Sequence, residues 1–172
     1  MFWPIIIGVV VLDSITKALA VRMLVPQRIP REVVGDVFRL TLVYNRGAAF
    51  GLHLGPYSRW IFLALTAVAL LILYRLYRDT RPGDRLRTVA VALVCAGAIG
   101  NLIDRVRSSM GVVDFLDIGV GDLRWPTFNV ADIAVSIGAF LLAWALWGED
   151  ARAPAAAPPG ARVPTAKPSE GA

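Results

Sequence analysis

The residues best suited to chemistry are two aspartates, Asp114 in "GVVDFLD" and Asp132 in "FNVADIAVSIGAF". Asp132 lies in the first turns of an apolar run, residues 128–147, that is long enough to cross a bilayer. An ionisable side chain at mid-membrane costs roughly 3 kcal/mol on insertion scales, so each one needs a partner or a task. Asn129 precedes Asp132 by one helical turn and shares its face. If the loop carrying Asp114 folds back on this helix, the two carboxylates converge at the membrane surface. Two close carboxylates do not both ionise cheaply, so they share a proton. One then acts as general base on a water while the other donates to a substrate carbonyl. That is peptide hydrolysis without Ser, Cys, His or metal, and its titration belongs to the pair. On spacing alone Asp117 and Asp122 are rival partners. Asp132 also has a purely structural reading, as a charge that balances the dipole at a helix N-terminus.

Other polar residues in apolar surroundings need the same accounting. Asp13 and Lys17 in "LDSITKALA" are four apart, acid before base, the favourable order for a pair on a helix. They read as a neutralised pair that holds the first helix against its neighbours. "SITK" also spells S-x-x-K, a short and common pattern with no oxyanion-hole signal beside it. In "GAIGNLIDRV", Asn101, Asp104 and Arg105 fall on one helical face at a membrane surface. The plain reading of Asp104 and Arg105 is of interfacial charges that snorkel to water. Ala92, Ala96 and Gly100 recur every four residues, a stripe for close helix packing. "NRGAAFG", residues 45–51, is a turn or a loop whose Asn45 and exposed backbone at Gly47 touch a bound peptide.

The elements that position these residues are read from hydropathy. The chain has 172 residues, 56% hydrophobic, and a mean hydropathy of +0.60, more apolar than usual for a soluble domain. Four segments reach the ~20 residues a spanning helix needs. They are about 2–24, 60–78, 86–104 and 127–147. All five Trp fall near their ends, as expected of rings that prefer the headgroup level. Arg75, Arg78, Arg81, Arg85 and Arg87 crowd one short loop. The positive-inside rule makes that loop cytoplasmic, with both termini inside and the loops at 25–59 and 105–126 outside. In "DVFRLTLVYN", Phe38, Leu40, Leu42 and Tyr44 alternate with Arg39 and Thr41, the period of a strand. "GVVDFLDIG" adds to a small extracytoplasmic β element. The expected class is thus an all-α membrane protein of four transmembrane helices with a small β element. Residues 1–147 form one domain and the Pro/Ala-rich 148–172 a disordered cytoplasmic tail. No cleaved signal peptide is expected, since no basic residue precedes the first apolar run and Asp13 and Lys17 lie within it.

Several classes are set aside. The +5 charge comes from Arg scattered between apolar segments, with no basic stripe beside stacking aromatics, so nucleic acid is not an expected partner. The single cysteine, Cys95, permits no internal disulfide. One histidine, His53, sits far from any suitable Ser motif, and no His/Cys cluster has metal-ligand spacing. A small proton-coupled transporter or channel is the rival from another class, because intramembrane carboxylates also relay protons. It would spread ionisable groups through the membrane depth, whereas Asp104, Asp114 and Asp132 gather at one face.

Taken together, "DSITK", "NRGAAFG", "GAIGNLIDRV", "GVVDFLD" and "FNVADIAVSIG" appear in order between four spans, from about Leu12 to Gly138. In this the chain resembles the lipoprotein signal peptidases (signal peptidase II), aspartic endopeptidases of bacterial inner membranes. The resemblance implies a catalytic pair at Asp114 and Asp132. It implies substrate-binding positions at Asn45, Gly47, Asn101, Arg105 and Asn129, and structural support from Asp13, Lys17 and Asp104. The implied substrate is a prolipoprotein cut just before its diacylglyceryl-modified cysteine, with the signal helix held among membrane lipids. No metal or other cofactor is required, and a monomer is expected. Ala96 stands where the family often has Gly, and Ile133 where it often has a small polar residue.

Overall fold

The structure is a computed structural model that describes residues 1–47 and 55–150. Four helices carry the architecture: α1 (Phe2–Met23), α2 (Ser58–Arg78), α3 (Arg85–Arg107) and α4 (Val130–Asp150). Each holds a stretch long and apolar enough to span a bilayer. A single 3-10 turn, Gly55–Tyr57, leads into α2.

α3 is the innermost helix and packs against α1, α2 and α4. Its buried residues are small: Ala90, Val91, Ala92, Cys95, Ala96, Gly97 and Gly100. A Cβ at Gly97 would collide with the Ala131 carbonyl oxygen, and one at Gly138 would meet the Ala90 carbonyl and Val94. The small residues thus set how closely α3 and α4 approach, and the close approach supplies the van der Waals contact that joins helices in lipid. The opposite faces are apolar and outward: Ile7, Val11, Ile15 and Leu19 of α1, and Leu65, Val68 and Ile72 of α2, are exposed. This is the pattern of helices solvated by acyl chains rather than water.

The two connections at one end of the bundle build a single antiparallel sheet, ordered β1 (Arg31–Val34), β2 (Phe38–Asn45), β3 (Val112–Val120) and β4 (Leu123–Arg124). β1 and β2 come from the α1–α2 connection, β3 and β4 from the α3–α4 connection. The β2–β3 ladder therefore ties both connections together. Under it, Leu42, Val113 and Phe115 pack on Ala20 and Leu24 at the end of α1.

The strand alternation read in β2 does not run unbroken. Leu40 faces Leu116 and Val43 faces Asp114, so three steps on β2 match two on β3. This bulge inserts one residue and reverses which side chains point to each face. Leu42 and Tyr44 go to the buried underside with Val113, while Val43 and Asn45 take the face of Asp114. The bulge is the reason Asn45 reaches the catalytic candidate.

Three boundaries differ from those read in the sequence. α3 continues to Arg107, and α4 begins only at Val130 because Phe128 joins the sheet. The Phe128 N–H donates to Leu116 O at 3.0 Å, and its carbonyl accepts from Phe115 and Leu116 at 3.0 and 2.9 Å. α4 also runs through Asp150, so residues 148–150 are helical rather than the start of a loose tail. Residues 151–172 lie outside the described residues, as do Ala48–Gly51 of the glycine loop and His53.

Candidate active site

Asp132 enters the site through the N-terminus of α4. Asn129 is the residue before that helix, and its Oδ1 accepts from Asp132 N at 3.0 Å. In return Asp132 Oδ2 accepts from Asn129 N at 3.2 Å. This reciprocal pair is a capping box written with Asn and Asp, and it fixes the Asp132 side chain. One geometry therefore both caps the helix and holds the Asp132 carboxylate at the cavity, with Oδ2 facing the helix and Oδ1 accepting from Asn101 Nδ2 at 2.8 Å.

Asp114 comes from β3 and is buried. Its Oδ1 accepts from Asn129 Nδ2 at 2.7 Å and its Oδ2 from Asn45 Nδ2 at 3.1 Å. Both carboxylates line one cavity of about 620 Å³, together with Asn45, Gly47, Asn101 and Arg105. Burial, and then the neighbouring charge of Asp132, push the Asp114 carboxyl up to about 7, while the amides of Asn45 and Asn129 act in the opposite sense.

The three asparagines share one logic. Each has its amide oxygen facing a group that can only donate: Gly47 N for Asn45 at 2.9 Å, Lys17 Nζ for Asn101 at 3.0 Å, and Asp132 N for Asn129. The NH2 end of each is thereby turned toward a carboxylate. Asn129 is fully buried and stands behind the cavity wall rather than on it. It links the two aspartates and also donates toward Asn101 Oδ1 at 3.2 Å.

Beneath the asparagines lies a charged core. Lys17 Nζ meets Asp13 Oδ2 and Asp104 Oδ2, each at 2.8 Å. Asp13 Oδ1 accepts from Ala131 N at 2.9 Å, so α1 supplies a cap to α4. Asp104 Oδ2 accepts from Val113 N at 3.2 Å, holding β3 next to Asp114. Asp104 is thus a structural tie rather than a snorkelling charge. Gly100 fits because a Cβ there would press on the Asp13 carboxylate and on Ala131. Arg105 donates to Asn101 O and Gly47 O at 3.2 Å each, and its guanidinium lies 5.7 Å from the Phe62 ring centroid. Arg59 in turn donates to Arg105 O at 2.6 Å and Val106 O at 2.9 Å, closing the end of α3. Neither the cap from Asp13 nor the clamp from Arg59 was read in the sequence, because both join residues far apart along the chain.

The rival aspartates are elsewhere. Asp117, an odd number of residues from Asp114, points to the other face of β3. There it accepts from Thr41 Oγ1 and Arg124 Nε, each at 2.8 Å. Asp122 is exposed at the β3–β4 turn.

A family profile described as Signal peptidase (SPase) II matches residues 5–148. The chain belongs to the signal peptidase II family. It is 42% identical to a lipoprotein signal peptidase of Halothermothrix orenii over 151 residues, 87% of this chain and 97% of that protein. It is 45% identical to one of Syntrophotalea carbinolica over 146 residues, 84% and 89% of the two chains. Two solved bacterial membrane enzymes share the fold. One has a TM-score of 0.77 and 31% identity, covering 87% of this chain and 88% of that one. The other has a TM-score of 0.73 and 32% identity, covering 84% and 91%. This signal peptidase II family member is accordingly an aspartic-type peptidase of the bacterial inner membrane, built on four spanning helices and a small sheet.

Proposed function

We propose that the chain removes the signal peptide from diacylglyceryl-modified prolipoproteins, cutting the peptide bond just before the lipidated cysteine, with Asp114 and Asp132 as the catalytic dyad. The observation that carries this reading is the shared cavity, with its two carboxylates each held by amide donors and Asp114 raised to about 7. Burial places the shared proton on Asp114. Asp132 then takes a proton from water as the water oxygen attacks the scissile carbonyl, and Asp114 donates its proton to the carbonyl oxygen. Collapse of the tetrahedral species breaks the C–N bond, and a proton passes to the leaving amine. Arg105, Asn101 and Asn45 border the space an extended peptide would occupy, and Gly47 offers backbone there.

The side of the membrane follows from charge. Arg75, Arg78, Arg81, Arg85 and Arg87 stand at the α2–α3 end, opposite the sheet. With that end cytoplasmic, both termini are cytoplasmic and the dyad faces the extracytoplasmic surface. Signal helix and acyl chains stay in lipid while the scissile bond meets the dyad where water is available. The buried charges Asp13, Lys17 and Asp114 belong to one network that runs from α1 toward the sheet, and no buried charge among the described residues continues it to the cytoplasmic end, which favours surface chemistry over a proton path through the depth.

The test is purified protein with a lipidated prolipoprotein, cleavage being followed by gel shift. Wild type is expected to convert the substrate, and Asp114→Asn to leave it intact while inserting normally in the membrane. Conversion by Asp114→Asn at the wild-type rate would remove Asp114 from the mechanism.

A further inference from the structure

A second cavity, of about 180 Å³, adjoins the first and shares Asn45, Arg46 and Arg105 with it. The rest of its described wall comes from the entry to α2, including Ser58 and Arg59, and from Ser109 and Gly111 beyond α3. Three arginines, Arg46, Arg59 and Arg105, therefore line one small space, and no carboxylate is among its described lining residues. Arg59 and Arg105 are anchored on main-chain carbonyls, Arg105 O and Val106 O for the first, Asn101 O and Gly47 O for the second. Neutral carbonyls hold a guanidinium in place without cancelling its charge. Each guanidinium has five N–H donors in a planar fork, a geometry that suits phosphate oxygens.

The depth of the cavity indicates where such an anion would come from. Tyr57 and Trp60 flank Ser58 and Arg59, and both rings are exposed. Amphipathic rings of this kind settle at the headgroup level of a bilayer. The Arg59 guanidinium lies 5.2 Å from the centroid of the Trp60 ring. The entry to α2 is thus at the height of lipid phosphates, on a lipid-facing side of the bundle.

We propose that this cavity binds the phosphate of an anionic phospholipid headgroup. A zwitterionic choline headgroup fits less well, since its ammonium would join three arginines in a space with no carboxylate among the described lining residues, the nearest acids lying beyond Arg105 in the first cavity. The proposal does not rest on the dyad. Because Arg105 and Asn45 form its common wall with the catalytic cavity, an occupant would also steady the residues that border the substrate.

The experiment is calorimetric titration of the full chain in neutral detergent with three probes: dihexanoyl-phosphatidylglycerol, dihexanoyl-phosphatidylcholine and inorganic phosphate. The expected result is saturable binding of one phosphatidylglycerol per chain, with phosphatidylcholine giving none. Arg46→Gln and Arg59→Lys should each weaken that binding by about tenfold, the loss of one charge-assisted contact. Arg46 is exposed and outside the packed core, so its variant keeps the test valid if Arg59→Lys is poorly folded. Binding of inorganic phosphate with the same dependence on Arg46 would support the site and identify the phosphate itself as the recognised group. No saturable phosphatidylglycerol heat, equal binding of the two lipids, or unchanged affinity in Arg46→Gln would overturn it.

Discussion

Replacing Asp114 by Asn should abolish activity and raise stability relative to wild type as pH increases. The folded Asp114 carboxyl ionises at about 7, against 3.8 for an unperturbed side chain, because of burial first and the Asp132 charge second. Between these values the folded chain binds more protons at this site than the unfolded chain does. Stability therefore falls as pH rises from about 4 to about 7, and is constant at this site beyond that. The shift corresponds to about 4 kcal/mol, at 1.36 kcal/mol per pKa unit. An Asn side chain cannot ionise and escapes this cost, but its NH2 must face the NH2 of Asn45 or Asn129, a lost acceptor that costs about 1–3 kcal/mol at every pH. Relative to wild type, Asp114→Asn should therefore start lower near pH 4 and gain up to about 4 kcal/mol between pH 4 and pH 7. For a chain of this length that gain shifts the melting temperature of the variant relative to wild type by roughly 10 °C across the range. Thermal unfolding in detergent, followed by Trp fluorescence across pH 4–8, measures it. A difference between the two proteins that does not change across pH 4–8 would refute the burial argument.

The remaining predictions concern the residues that hold the pair. Lys17→Met leaves the buried Asp13 and the half-buried Asp104 without their cation and should cost about 3–5 kcal/mol, seen as a lower melting temperature. Adding Asp13→Asn to that variant should recover part of the loss. Asn129→Ser keeps an oxygen to cap α4 but removes the NH2 donor to Asp114. The helix should survive, by circular dichroism, while Asp114 ionises at higher pH and the alkaline limb of the rate profile moves up with it. Gly97→Ala places a methyl against the Ala131 carbonyl and should destabilise by about 1–3 kcal/mol, measured by the same melting assay.

Much of this site is legible in the sequence because the bilayer makes polar residues conspicuous. Asp13, Lys17, Asn101 and Asp132 stand out in apolar runs, and each joins the network around the cavity. The four helices are legible for the same reason. The bulge in β2 is not, since Phe38, Leu40, Leu42 and Tyr44 keep a period of two in the sequence and only the ladder with β3 shows the extra residue. Local sequence also gives no sign that Phe128 leaves the α4 pattern to pair with Leu116, which delays the helix start to Val130. The snorkelling reading of Asp104 failed because its partner, Lys17, comes from a different helix. Asn129 is visible as a polar residue near Asp132, yet its place behind the wall depends on the fold of β3 against α4.

The central claim is that Asp114 and Asp132 act as a pair on one water. It is tested most directly by assaying Asp114→Asn and Asp132→Asn, side by side and with melting temperatures recorded, on a diacylglyceryl-modified prolipoprotein. The account predicts folded proteins and no detectable cleavage in either. Wild-type cleavage by either variant would contradict it.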